Sequence, residues 1–220
     1  MNILAFDTSL DACAVAVATD GAPPVIVTEI VGRIHGERLI GLIDEALAAA
    51  GLAMGGIERI AVAVGPGSFT GLRIAVAAAR GLALVTEAPA VGVSNLAIHA
   101  ARARSLAGET PVLVATTAGR GDVYAQVFAA DGEPLGDPVA APPAAVAGML
   151  AADMRIAGSA AGLVAEAAGA DAERIVHDDA APDMATLCRL VPDAGAEPPR
   201  PLYIRRPDAK PQSGAAVARA

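Results

Sequence analysis

Two rhythms of apolar residues run along the chain. Asn2 to Ser9 alternates and ends in the turn-forming Asp7, Thr8 and Ser9; Cys13 to Ala18 resumes as a second apolar run, and Val25 to Val31 follows the Pro23-Pro24 turn. Short runs bounded by turn residues predict an opening meander of three strands. From His35 to Gly51 the period lengthens, with Leu39, Ile43, Ala46, Leu47 and Ala50 on one helical face and Glu37, Arg38, Asp44 and Glu45 elsewhere. Arg59 to Val64 is nearly continuous and β-branched, the pattern of a buried parallel strand. A helix is predicted from Leu72 to Glu87, and its polar stripe narrows to Arg73 and Arg80. So little polar surface requires cover on more than one side, from its own domain or from another subunit.

The pattern continues with a strand at Ala90 to Ser94, a helix over Asn95 to Leu106 and a break at Glu109-Thr110-Pro111. Val112 to Thr116 and Val123 to Ala129 read as strands around Gly119-Arg120-Gly121-Asp122, followed by turn-rich sequence from Asp131 to Pro143. Helices near Ala144 to Ala152, Ala160 to Ala168 and Asp183 to Val191 accompany a short strand at Arg155 to Ala157. The reading divides the chain into a lobe of residues 1–105, a smaller α/β lobe of 106–206 whose last helix can pack back on the first, and a polar, flexible tail of 207–220. By analogy of element order this is an α/β fold of two lobes, with mixed sheets flanked by helices. The order suggests the ribonuclease-H-like core of the actin, sugar kinase and Hsp70 group.

The junction Gly65-Pro66-Gly67-Ser68-Phe69-Thr70-Gly71-Leu72-Arg73 joins strand to helix through three glycines. Glycines there can take positive φ and leave N–H groups bare at a helix N-terminus, which suits an anion or a closely approaching backbone. The count fails both familiar phosphate signatures. Three residues, not four, separate Gly67 from Gly71 with Leu72 following, and Thr70 stands where a dinucleotide fingerprint has its third glycine. Asp7, Gly65, Gly67, Ser68, Thr70, Gly71 and Arg73 are the candidates for a nucleotide or anion loop. Structural turn and protein interface remain open beside that reading, and Asp7 is open between a magnesium-orienting role and a turn role.

Composition narrows the chemistry. The 220 residues are 54% hydrophobic but 2% aromatic, so the core is built from Ala, Val, Leu and Ile. A net charge of −8 argues against the chain alone gripping a phosphate backbone. The lone lysine, Lys210, lies in the tail, which leaves Schiff-base chemistry without a candidate in the body. Cys13 and Cys188 read as small buried hydrophobes. No apolar run approaches the ~20 residues of a membrane span, and the opening lacks a basic segment, so a cytoplasmic protein is expected. His99 reads as an ordinary helix histidine, His177 in His177-Asp178-Asp179 as solvated, and His35 as a cap, an exposed residue or a partner contact.

Five motifs carry a resemblance: Ile3 to Ser9, His35-Gly36-Glu37-Arg38-Leu39, Gly65 to Arg73, Gly92-Val93-Ser94 and Pro201-Leu202-Tyr203-Ile204-Arg205. Along nearly its whole length the chain resembles the TsaB (YeaZ) family, the partner subunit in tRNA threonylcarbamoyladenosine synthesis. The resemblance implies an actin-like fold with degenerate nucleotide chemistry, pairing through N-terminal helices with the catalytic subunit TsaD. His35, Leu39, Ile43, Leu72, Ala75, Val76, Ala79 and Leu82 are the partner-binding residues expected on that basis. It further implies a TsaE-like ATPase in the assembly, tRNA reached through the complex, and ATP, ADP and metal on partner subunits rather than on this chain; helices left apolar outside predict a two-fold homodimer in isolation.

Two departures bear on chemistry. The catalytic relative carries two metal-binding histidines four apart on a helix, and the equivalent pair here looks like Asn95 and His99, so no metal is expected. In Thr116 to Tyr124, Thr117 and Gly119 replace the family's charged pair, with Arg120 a possible substitute shifted by one position. The competing readings are a stand-alone actin-like ATPase or phosphotransferase and, disfavoured by the missing histidine, a metallopeptidase.

Overall fold

The structure, a computed structural model, describes residues 1–32, 34–191 and 197–205. The tail from 207 onward therefore lies outside the described residues. Its first sheet contains β1 (Ile3–Asp7), β2 (Ala12–Ala18), β3 (Val25–Ile30), β4 (Arg59–Ala63) and β5 (Ala90–Val93), in the order β3-β2-β1-β4-β5. The meander is antiparallel, and β4 and β5 join parallel to β1. Alternation along β1 sorts its residues between two cores. Leu4 and Phe6 face α1 (His35–Ala49) and α2 (Phe69–Thr86), where Leu39, Leu42, Ile43, Ala75, Val76 and Ala79 cover them. Ile3 and Ala5 face the other way, where Ala14, Ala16, Ala61 and Ala63 make a floor of small residues. On that floor lie Ile98 of α3 (Asn95–Ala107) and Leu187 and Cys188 of α6 (Met184–Leu190).

The second sheet has the order β10-β9-β6-β7-β8, from β6 (Val112–Thr117), β7 (Val123–Phe128), β8 (Val139–Ala141), β9 (Arg155–Ala157) and β10 (Ile175–His177). Leu113, Ala115, Val123 and Ala125 pack on Val146 of α4 (Pro143–Ala147) and Val164 of α5 (Ala161–Ala168). The opposite face, with Val112, Val114 and Phe128, receives Leu96, Ala100 and Ala103 of α3. One helix thus serves both sheets, through Ile98 on one side and Leu96, Ala100 and Ala103 on the other.

Three local readings change. β8 and β10 lie in stretches whose pattern gave no strand: three residues each, at sheet edges, are too short to show a period of two. The first helix of the second lobe ends at Ala147, where Gly148 and the following turns take over. α2 begins at Phe69, because the side chain of Ser68 caps it by accepting the Gly71 N–H. Its own domain covers one side of it, burying Gly71, Leu72, Ala75, Val76 and Ala79, while Leu84 and Val85 stand 85% and 82% exposed. By length and composition alone α2 also meets the measure of a membrane-crossing helix, with mean hydropathy 1.4 over 18 residues, yet its buried stripe seals the first sheet. Both cysteines are free and buried, and burial pushes the Cys13 thiol up to about 11 and that of Cys188 up to about 12.

Because α6 comes from the second half of the chain and seals the first sheet, the two halves should unfold together. Leu187→Ala, at a fully buried position, is expected to cost about 2–5 kcal/mol and to leave a single denaturant transition. Two resolved transitions, read by circular dichroism, would contradict this coupling.

Candidate functional site

The turn after β1 is built by Asp7, whose Oδ1 accepts the N–H of Ser9 at 2.8 Å. Burial pushes the Asp7 carboxyl above its ordinary value, and the Ser9 hydrogen bonds and the charge of His35 oppose that push. Against this turn lies the glycine loop, entered through a cis Gly65-Pro66 bond with Gly65 at φ 105°. The Ser68 N–H donates to the Ser9 carbonyl at 2.7 Å, and Thr8 Oγ1 donates to the Gly71 carbonyl at 2.7 Å. A Cβ at Gly67 would come within 2.6 Å of the Ser9 carbonyl oxygen, and one at Gly71 within 1.8 Å of that of Thr8. These two glycines admit another backbone.

Asn95, first residue of α3, staples the arrangement. Its Nδ2 donates to Ser9 Oγ at 2.8 Å and to the Pro66 carbonyl at 3.1 Å. Its Oδ1 accepts the Gly65 N–H at 3.2 Å, and its own N–H donates to the Gly65 carbonyl at 2.7 Å. The sequence signal for Asn95 is only its place after Ser94 at a helix start; nothing marks its reach to a loop 30 residues away. The side chain that looked like half of a metal pair is engaged in holding the loop.

Between the lobes is a cleft of about 1290 Å³. The structure brings Gly67, Ser68, Thr70 and Gly71 to its wall, beside Ser9, Asp11 and His35, with Thr117, Gly119 and Tyr124 opposite. It leaves the other loop candidates out. Asp7 is buried behind the turn it makes, and Gly65 packs against Leu72 and the Leu202 carbonyl. Arg73 turns away to lie 3.8 Å over the Phe69 ring, its Nε donating to Tyr203 Oη at 3.0 Å. Across the cleft the Thr117 N–H donates to Ser159 Oγ at 3.0 Å, and Gly119, Arg120 and Gly121 make a tight tip with positive φ.

The expected partner-binding residues face inward in the single chain. His35, Leu39, Ile43, Leu72, Ala75, Val76 and Ala79 are all buried within the chain, and Leu82 is half-buried. The most apolar face of each helix covers the domain's own sheet, since that burial holds the fold together. His35 Nε2 donates to the Leu10 carbonyl at 2.6 Å instead of facing out. The apolar residues left outside include Ile40, Ala77, Gly81, Leu84 and Val85, with Ile74 and Ala78 half-buried, while Glu37, Asp44 and Glu45 are the exposed acids of α1. The two helices are neighbours: a Cβ at Gly36 would stand 3.8 Å from Ile74 Cδ1.

His177 is likewise buried rather than solvated, because β10 carries it inward under α3. Its ring stacks on His99 with centroids 5.3 Å apart, its Nε2 donates to the His99 carbonyl at 3.2 Å, and its Nδ1 lies 3.4 Å from Asp179. Arg102 bridges Asp179 and Asp183 at 2.7 and 2.9 Å. Burial, then the neighbouring His177, pushes His99 down to about 4.

Residues 197–205 form a strap across the site. The Leu202 N–H donates to the Val64 carbonyl at 2.8 Å, Arg80 Nε to the Pro199 carbonyl at 2.9 Å, and Pro199 Cα would lie 3.3 Å from a Cβ on Gly92. At its end Arg205 pairs with Asp122 in the second lobe. Four of the five sequence motifs, remote along the chain, therefore meet at one junction.

A family model described as TsaD, tRNA N6-adenosine threonylcarbamoyltransferase, matches residues 23–173. The tRNA threonylcarbamoyladenosine biosynthesis protein TsaB of Escherichia coli (strain K12) is 41% identical over 124 residues, covering 56% of this chain and 53% of that protein. The chain spans about half the length of the curated relatives it matches, at 53% and 52%. A solved structure of YeaZ from Pseudomonas aeruginosa is 32% identical with a TM-score of 0.73, over 92% of this chain and 99% of that one. The activator of the 2-hydroxyisocaproyl-CoA dehydratase from Clostridium difficile, solved with bound ADPNP, is 12% identical with a TM-score of 0.52, over 85% and 92% of the two chains. That last likeness is one of fold, the two-lobed actin-like architecture.

Gly71→Ala places a methyl group where the Thr8 carbonyl stands. A loss of at least ~2 kcal/mol is expected, and a thermal melt unchanged from the parent would refute the contact. The buried pair has its own signature. With the folded value of His99 near 4 against an ordinary 6.5, the unfolded chain binds the extra proton between those values. Its contribution is complete above about pH 6.5, falls as pH drops through that window, and is flat below about pH 4, on the order of 3 kcal/mol in all. His99→Gln should flatten this slope in urea melts taken across the window; a slope that survives the substitution would place its origin elsewhere.

Proposed function

We propose, from the premise that the chain belongs to the TsaB (YeaZ) family, that it is the non-catalytic dimerisation and activating subunit of a tRNA threonylcarbamoyl transferase. The assembly attaches threonylcarbamoyl to the adenosine beside the anticodon. In this reading a TsaD-like catalytic subunit docks on the outer faces of α1 and α2. A TsaE-like ATPase, the ATP and ADP it handles, and the metal belong to the partner subunits, tRNA is reached through the complex, and the work is cytoplasmic. In isolation the same face pairs with a second copy about a two-fold axis.

The observation that supports the reading most is the apolar surface left outside on α2, with Ile40 exposed on the neighbouring α1. Leu84, Val85 and Ile40 are 85%, 82% and 51% exposed, and Ala77 and Gly81 lie among them on α2. Large apolar side chains left exposed mark interaction sites, and small residues let a partner helix approach closely. The non-catalytic part of the reading draws on the loop: Ser68 N–H and Gly71 N–H are engaged by Ser9 and Ser68, and the Arg73 guanidinium is stacked on Phe69.

The cleft supports a second reading, a stand-alone ATPase or phosphotransferase, because its volume is ample for a nucleotide. The two readings separate cleanly. Mixed with the TsaD-like protein of its own organism, the chain should co-elute as a heterodimer, and Leu84→Glu should abolish co-elution while leaving the melting temperature within about 2 °C of the parent. A well-folded variant that still co-elutes removes α2 from the interface, and efficient ATP turnover by the purified chain overturns the non-catalytic assignment.

A further inference from the structure

The five aromatic residues, three Phe and two Tyr, are unequally placed. Phe6 and Phe128 are buried and Tyr124 is half-buried, but Phe69 and Tyr203 stand side by side at the surface, 38% and 41% exposed, with ring centroids 5.0 Å apart. Aromatic side chains are enriched at recognition surfaces, and here they stand out because the core is aliphatic. Around them are the exposed guanidinium groups of Arg73, Arg80 and Arg200. Arg73 lies on the Phe69 ring, and Arg73 and Arg80 use Nε to hold the strap at Tyr203 and Pro199. Among the described residues none of the three forms an ion pair with a carboxylate, in contrast to Arg38, Arg102 and Arg205. α2 carries no acidic residue, and Glu197 is the one acidic residue in the strap.

In a chain of net charge −8, a stripe of arginines without carboxylate partners is a local reversal of the protein's field. Unneutralised guanidinium groups next to partly exposed aromatic rings match the chemistry of single-stranded nucleic acid: phosphates for the charges, an unstacked base for what the rings leave open. We propose that Arg73, Arg80 and Arg200, with Phe69 and Tyr203, form a contact surface for RNA. The ligand is an unpaired loop of the tRNA held by the assembly. The inference rests on the functional reading above. Arg73 and Arg80 lie on the strap side of α2, reaching Tyr203 and Pro199, whereas Ile74 lies on the side of α1, so the surface borders the partner face and RNA gripped by the partner can extend onto it. Overall acidity is consistent with this, since the surface supplements a grip that the rest of the complex provides.

The test titrates unmodified tRNA transcript against the complex of this chain with its TsaD-like partner, at several salt concentrations from about 50 to 200 mM. Arg80→Gln/Arg200→Gln should weaken tRNA binding by about tenfold or more and reduce the slope of log K against log salt by about 1.5 to 2. Arg80→Lys/Arg200→Lys keeps charge without the strap geometry and should retain affinity and slope. A tRNA substituted with 4-thiouridine should crosslink at Phe69 or Tyr203. Unchanged affinity and slope in the Gln variant, with co-elution intact, overturns the proposal. Displacement of tRNA-bound complex by polyglutamate as readily as by RNA of equal charge also overturns it, in favour of an acidic protein. Should the parent chain fail to co-elute with the partner, the functional reading falls on its own, and crosslinking of the tRNA to this chain alone at low salt decides the RNA contact.

Discussion

The turn after β1 and the loop before α2 approach until no side chain fits between them. The Ser9 carbonyl takes the Ser68 N–H, Thr8 reaches the Gly71 carbonyl, and both glycines stand where a methyl group would strike the neighbouring backbone. Much of the first lobe follows from that contact. It fixes where α2 starts, hence which of its residues meet the sheet, and it sets the floor of the cleft. Asn95 ties the same loop to α3, the helix that packs on both sheets, so the relation of the lobes is linked to the loop through one amide.

A glycine-rich strand-to-helix loop in an actin-like fold invites a phosphate-binding interpretation, and here the loop also makes a set of contacts with the chain's own backbone. The free volume that glycines create is taken by the Thr8-Ser9 backbone. The helix N-terminus is satisfied in part by Ser68, and the nearby cation is stacked on an aromatic ring. The cleft persists as a shape, but the groups on its wall serve mainly to hold the turn together.

The exposed side of α2 and the strap over it then become the informative surface. A strand or helix core made of Ala and Val buries little area per residue, so the domain uses the most regular apolar face of each helix for itself. What remains outside is less periodic: Ile40, Leu84, Val85, two aromatics and three arginines. The strap converts this surface into a feature shared by both lobes, running from the Val64 carbonyl to Asp122.

The elements of the first lobe and most of the second were legible from periodicity, because alternation and 3.6-residue spacing report local burial. The buried cysteines and the turn role weighed for Asp7 were legible for the same reason: each depends on neighbours in sequence. The direction in which a helix presents its apolar face was not, since the pattern of Leu39, Ile43, Leu72, Ala75, Val76 and Ala79 is identical whether the cover is the domain's own sheet or another chain. Nor could sequence place His177 against His99, Asn95 against the glycine loop, or Tyr203 beside Phe69, pairings of residues 78, 30 and more than a hundred positions apart. Such contacts carry no local periodicity. Only the closing of the chain on itself decides them, through the packing of α3 between the sheets and of the strap across α2.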